Sequence, residues 1–147
     1  MLKKYKHHLP HWNIEGAYYY ITFKAYRESF TNNEIMIIQD VIKSGHNEKY
    51  KLIAVQVMPD HVHLIIQPNS GIPLSKVMQW IKGVSARYIN HYRGRKGSIW
   101  MVDYFDRIMR TQSDLDEKLK YMYENPVRSG FTDKPNEYKG WHFQESQ

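Results

Sequence analysis

Leu52-Ile53-Ala54-Val55-Gln56-Val57-Met58-Pro59-Asp60-His61-Val62-His63-Leu64-Ile65-Ile66-Gln67 is the stretch on which the fold turns. Leu52 to Met58 and Val62 to Gln67 are two β-rich runs flanking Pro59-Asp60, a dipeptide with turn chemistry. The pattern predicts an antiparallel hairpin. Successive side chains of a strand point to opposite faces, so His61 and His63 project from the same face.

Upstream, residues 17–25 are rich in strand formers and predict a first strand. Thr31 and Glu34 have capping-box spacing, Phe30 and Ile35 suit a hydrophobic staple, and Ile35, Ile38, Val41 and Ile42 repeat at helical period up to Gly45, a suitable stop. Downstream, Asn69, Ser70, Gly71 and Pro73 break the pattern. A helix over 74–92 follows, with Leu74, Val77, Met78, Ile81, Tyr88 and Tyr92 as its apolar stripe. Tyr104 to Arg110 predicts a fourth strand. Ser113 is expected to cap a last helix with Asp114, Asp116 and Glu117 in its first turn, and Pro126 to end it. Beyond Gly130 an irregular tail is expected. The order strand, helix, strand, strand, helix, strand, helix predicts an α+β, ferredoxin-like βαββαβ antiparallel sheet with helices on one face plus a C-terminal helix.

The 147 residues suit a single domain spanning 1–147, and 41% hydrophobic with 14% aromatic residues suits a packed core. The formal charge of +6 favours a polyanionic partner. Leu74 to Gly97 carries Lys76, Lys82, Arg87, Arg93, Arg95 and Lys96 with no acidic residue, enough to account for that charge. Trp80, one turn from Lys76, is a candidate base-stacking platform, although a Trp half-buried in the fold fits the sequence equally well. The start of the chain has no apolar signal core and no run is long and apolar enough for a membrane span, so a cytoplasmic location is expected. His7, His8 and His11 read as a basic arm. With no cysteine, any metal must sit on His, Asn, Gln, Asp or Glu.

Strand cleavage of a nucleic acid requires a Lewis acid, a nucleophile and a basic surface. His61 and His63 are candidate metal ligands, and Asn125 a candidate third through its amide oxygen. Hydrogen-bonded sheet histidines remain the alternative. Tyr121, four residues before Asn125, shares a helix surface with it and is the candidate nucleophile. Tyr123 lies at a different angle.

Met58-Pro59-Asp60-His61-Val62-His63-Leu64-Ile65 resembles the His-hydrophobic-His motif of the single-tyrosine HUH transposases. Tyr121-Met122-Tyr123-Glu124-Asn125-Pro126-Val127-Arg128-Ser129-Gly130 resembles the nucleophile helix of their REP-associated branch. Residues 82–90, 97–100 and 104–107 resemble further family segments in the same order, so the likeness covers most of the chain. It implies a single HUH-type domain in which Tyr121 attacks DNA to form a 5′-phosphotyrosine. It also implies Mg2+ or Mn2+ on His61, His63 and Asn125, and single-stranded, hairpin-forming DNA as partner. Here Met122 and Tyr123 stand where the branch often has an apolar residue and a His or other polar residue.

Two other functions fit the residues: a phosphodiesterase in which water attacks, and a catalytically silent single-stranded nucleic-acid-binding module. A homodimer is open as well as a monomer, since some relatives place the tyrosine helix of one subunit in the active site of the other.

Overall fold

Tyr20 and Thr22 alternate with Ile21 and Phe23 along the first strand, and this alternation divides the molecule into two layers around one sheet. The computed structural model describes residues 16–27 and 29–145; the histidines at positions 7, 8 and 11 lie outside them. The elements run β1 (Tyr18–Lys24), α1 (Asn32–Ser44), β2 (Tyr50–Val57), β3 (His61–Pro68), α2 (Leu74–Arg93), β4 (Phe105–Met109), α3 (Gln112–Arg128), a 3-10 turn (Pro135–Glu137) and β5 (Trp141–Phe143). The strands form a five-stranded sheet in the order β4-β1-β3-β2-β5, with every neighbouring pair antiparallel. The first four strands have the expected ferredoxin-like order.

Ile21, Phe23, Leu52, Val55, Val57, Val62, Leu64 and Ile66 bury one sheet face under α1 and α2, with Ile35, Ile38, Ile42, Val77, Met78, Ile81 and Ile89. Tyr18, Tyr20, Ile53, Ala54 and Ile65 bury the other under α3, with Leu115, Leu119, Met122 and Tyr123. The α1 start carries the expected capping box between Thr31 and Glu34. Gly45 ends the helix in a right-handed conformation, and a Cβ there would collide with the Tyr50 hydroxyl, so close packing makes glycine necessary. The β2–β3 turn closes with Met58 N–H donating to His61 C=O, and Ala25 and Phe30 N–H donate to the carbonyls of Asp60 and Pro59. These bonds fix the hairpin end against β1 and the α1 entry.

Four local expectations are corrected. The buried stripe of α2 is Val77, Met78, Ile81, Ser85 and Ile89, whereas Tyr88 and Tyr92 are 55% and 52% exposed. Ser85 wins because it is small and polar: its Oγ donates to Ile81 C=O and accepts from the buried Trp100 Nε1 at 2.9 Å, admitting the indole into the core. Thr111, not Ser113, caps α3, accepting from Asp114 N–H. The α3 helix passes through Pro126 to Arg128. The tail adds β5 at the β2 edge, where Ala54, Val55 and Gln56 pair with Phe143, His142 and Trp141.

Candidate active site

His61 and His63 emerge from the sheet face covered by α3, on the same side as Thr22 and Gln56, which lie opposite His63 on β1 and β2, and as Tyr20, two residues before Thr22. His61 is partly exposed, and its Nδ1 lies 2.7 Å from Asp60 Oδ1. A carboxylate accepts, so Nδ1 carries the proton and Nε2 presents its lone pair in the neutral ring. The two Nε2 atoms are 2.9 Å apart. His63 is 5% exposed, with Nδ1 at 2.8 Å from Tyr20 Oη and 3.0 Å from Thr22 Oγ1. Both hydroxyls can donate or accept, so they suit either tautomer of His63. Burial first, then the nearby His61, Arg128 and Lys118, lower the His63 pKa to about 3. The ring is therefore neutral.

The third partner comes from α3. The buried Asn125 lies with its amide 3.3 Å from His63 Nε2 and is held by Ser129 Oγ at 3.1 Å. Because Ser129 can donate or accept, turning the amide to present Oδ1 to the histidines keeps that bond. One turn earlier, Tyr121 is 44% exposed and stands edge-on to His63, ring centroids 6.1 Å apart. Arg128 lies over the Tyr121 ring at 4.2 Å and Lys118 at 5.4 Å. Tyr123 instead faces the core, buried against Trp141.

The three nitrogen or oxygen groups fit a hard divalent ion. Cis donors at about 2.1 Å from an octahedral ion are about 3 Å apart, close to the Nε2 separation observed. Among the described residues no group of three or more His, Cys, Asp and Glu is placed to hold a metal, so a site here depends on the amide.

The cations singled out in the sequence lie in the other layer. Trp80 is half-buried against the core, with its ring edge-on to Tyr50 at 6.5 Å and Lys49 Nζ 5.3 Å from its centroid. Arg93 pairs with Glu34 through Nε and Nη2. Lys82 donates to Val102 C=O at 2.7 Å. Lys76, Arg87, Arg95 and Lys96 are exposed, and Arg95 and Lys96 line an open pocket of about 240 Å³ with Arg27 and Asn90. Sequence reasoning missed the cations on the histidine face: Lys118 and Arg128, with Arg107 and Phe105 opposite Tyr20 and Thr22 on the exposed β4 edge. Their signals were helical spacing from Tyr121 and alternation along β4.

Fold and site together define a ferredoxin-like protein whose strand-borne histidine pair faces a helix-borne tyrosine. The chain belongs to the IS200-like transposase family, whose model matches residues 13–125. It is similar to a REP-associated tyrosine transposase of Haemophilus influenzae, 26% identical over 94 residues, which cover 57% of this chain and 53% of the relative. The chain thus spans about half the length of that relative. A solved REP-associated tyrosine transposase bound to a REP hairpin shares the fold, with TM-score 0.72 and 20% identity over 90% of this chain and 80% of that one. A Deinococcus radiodurans protein described as a transposase matches with TM-score 0.52 and 18% identity over 80% of this chain and 95% of that one. Among the described residues no helix is long and apolar enough to cross a membrane.

Proposed function

We propose that this protein cleaves and rejoins single-stranded DNA through a covalent tyrosine intermediate, with Tyr121 as nucleophile. The carrying observation is that Tyr121 stands edge-on to His63, whose Nε2 meets His61 Nε2 and the Asn125 amide. Tyr121 Oη attacks the phosphorus, a P–O bond to the phenolic oxygen forms, and the P–O3′ bond breaks. The phenolic proton is lost, and the 3′-oxygen leaves as a hydroxyl once protonated. Because the phosphotyrosine keeps the phosphodiester's energy, a 3′-hydroxyl can reverse the step and restore Tyr121 without ATP.

His61, His63 and Asn125 would hold Mg2+ or Mn2+, which supplies Lewis-acid polarisation of a phosphate oxygen. The buried His63 is neutral, as ligation requires, and Tyr20 or Thr22 can accept a hydrogen bond from its Nδ1–H when Nε2 ligates. Lys118 and Arg128 place positive charge where the phosphate would meet Tyr121. The family and the hairpin-bound relative support hairpin-forming single-stranded DNA as substrate.

Labelled hairpin DNA incubated with the protein and Mn2+ should migrate with it on a denaturing gel. Tyr121→Phe should form no adduct while binding DNA within a few-fold of the parent, and Tyr123→Phe should form it. Adducts in Tyr121→Phe would sink the assignment; cleavage without any adduct would favour attack by water, and binding without cleavage a silent binding module.

A further inference from the structure

Pro126 lies inside α3, and a proline lacks the N–H that would bond the carbonyl four residues back, that of Met122. In this molecule the missing donor comes from the sheet. Gln56, on β2 and fully buried, donates its Nε2 to Met122 C=O at 3.0 Å. A carbonyl can only accept, so the amide orientation is fixed, and Gln56 Oε1 is left buried without a partner.

That orphaned acceptor bears on why Gln56 is there. A buried acceptor without a partner costs at least as much as one ordinary hydrogen bond contributes, so the pair of effects adds little net stability. What the bond fixes is position. Met122 follows Tyr121 by one residue and precedes Asn125 by three, while Gln56 sits directly opposite His63 in the β2–β3 register. One cross-strand pair therefore carries both a histidine of the site and the anchor of the turn that brings Tyr121 and Asn125 to it.

We propose that Gln56 is a positioning residue that exploits the gap left by Pro126 to hold α3 on its own sheet, setting the depth and rotation of Tyr121 and Asn125 against His61 and His63. This rests on the reading of Tyr121 as nucleophile.

The decisive variant is Gln56→Met/Pro126→Ala. Residue 126 then donates to Met122 C=O within the helix, and the orphaned Oε1 is gone, so the protein should melt no lower than the parent. Its covalent-adduct rate at saturating hairpin DNA and Mn2+ should nevertheless fall about tenfold or more, with hairpin affinity little changed, because the helix is whole but no longer tied to the sheet. Gln56→Met alone should show the same rate loss and a somewhat lower melting temperature. Amide hydrogen exchange read without DNA should accelerate in the α3 turn from Tyr121 to Asn125 in both variants relative to Pro126→Ala alone, in which Gln56 remains. Restoration of the parental rate in the double variant would show that Gln56 only satisfies a carbonyl and would overturn the proposal, as would unchanged exchange. If the parent forms no adduct, the nucleophile reading fails, and the exchange comparison alone decides whether Gln56 holds α3.

Discussion

Asp60 keeps the Nε2 lone pair of His61 turned toward His63, because its carboxylate takes the Nδ1–H side of the ring. Partners of this kind orient a ligating imidazole and raise its basicity. Asp60→Ala should therefore weaken Mn2+ binding, followed by electron paramagnetic resonance titration, by about 10- to 100-fold. Asp60→Asn, which keeps a neutral acceptor, should lose less; undiminished affinity in Asp60→Ala would detach Asp60 from the ion. The shared face of His61 and His63 was readable from the two-residue period of a strand. Their partners were not. Tyr20, Thr22 and Gln56 meet His63 only through the registers of β1 and β2 against β3, set by long-range packing. Tyr121 and Asn125 reach it because α3 docks on that face, which helical spacing alone does not specify.

Among the elements, α2 shows how composition misleads when a residue has two uses. Arg93 belongs by sequence to a basic stripe, yet with Glu34 it forms a nearly buried pair joining α2 to the start of α1, side chains 14% and 4% exposed. The Arg93 hydrogen bond, ahead of the opposing cost of burial, lowers the Glu34 pKa. Above its unfolded value near 4.5 the native carboxylate is ionised and this stabilisation is fully present; as pH falls through the depressed native pKa, protonation removes it. Arg93→Met should leave Glu34 buried without its cation, keeping only the Thr31 N–H of the capping box, and cost about 3 kcal/mol at pH 7 in a denaturant titration. Since a carboxyl without its cation protonates more readily, the deficit should shrink toward about pH 4. A deficit independent of pH would mean that Arg93 acts through packing alone. The α1 capping box was legible because it is local, whereas β5 was not, because three residues, Trp141–Phe143, become a strand only against the β2 edge.

At the scale of the molecule, the sheet separates two sets of cations. Lys76 and Arg87 extend from α2 on one side, whereas Lys118 and Arg128 flank Tyr121 on the other, with Arg107 on the neighbouring β4 edge. The net charge was legible in the sequence, but its division between faces was not, since that follows from where α2 and α3 dock. A strand presented to Tyr121 must bring its phosphates past the second set. Each phosphate of a single strand that the protein ceases to neutralise lowers the slope of log affinity against log salt by about 0.7, so Lys118→Gln/Arg128→Gln should flatten that slope by about 1.4. The same change at Lys76 and Arg87 should flatten it less, because those side chains lie across the sheet from Tyr121. Fluorescence anisotropy with a labelled hairpin over a salt series measures both slopes. If the α2 pair instead carries the larger share, the DNA runs over the α1 and α2 layer and reaches Tyr121 only around the sheet edge. If the slopes fall equally, the strand engages both faces, and the histidine face is not its principal track.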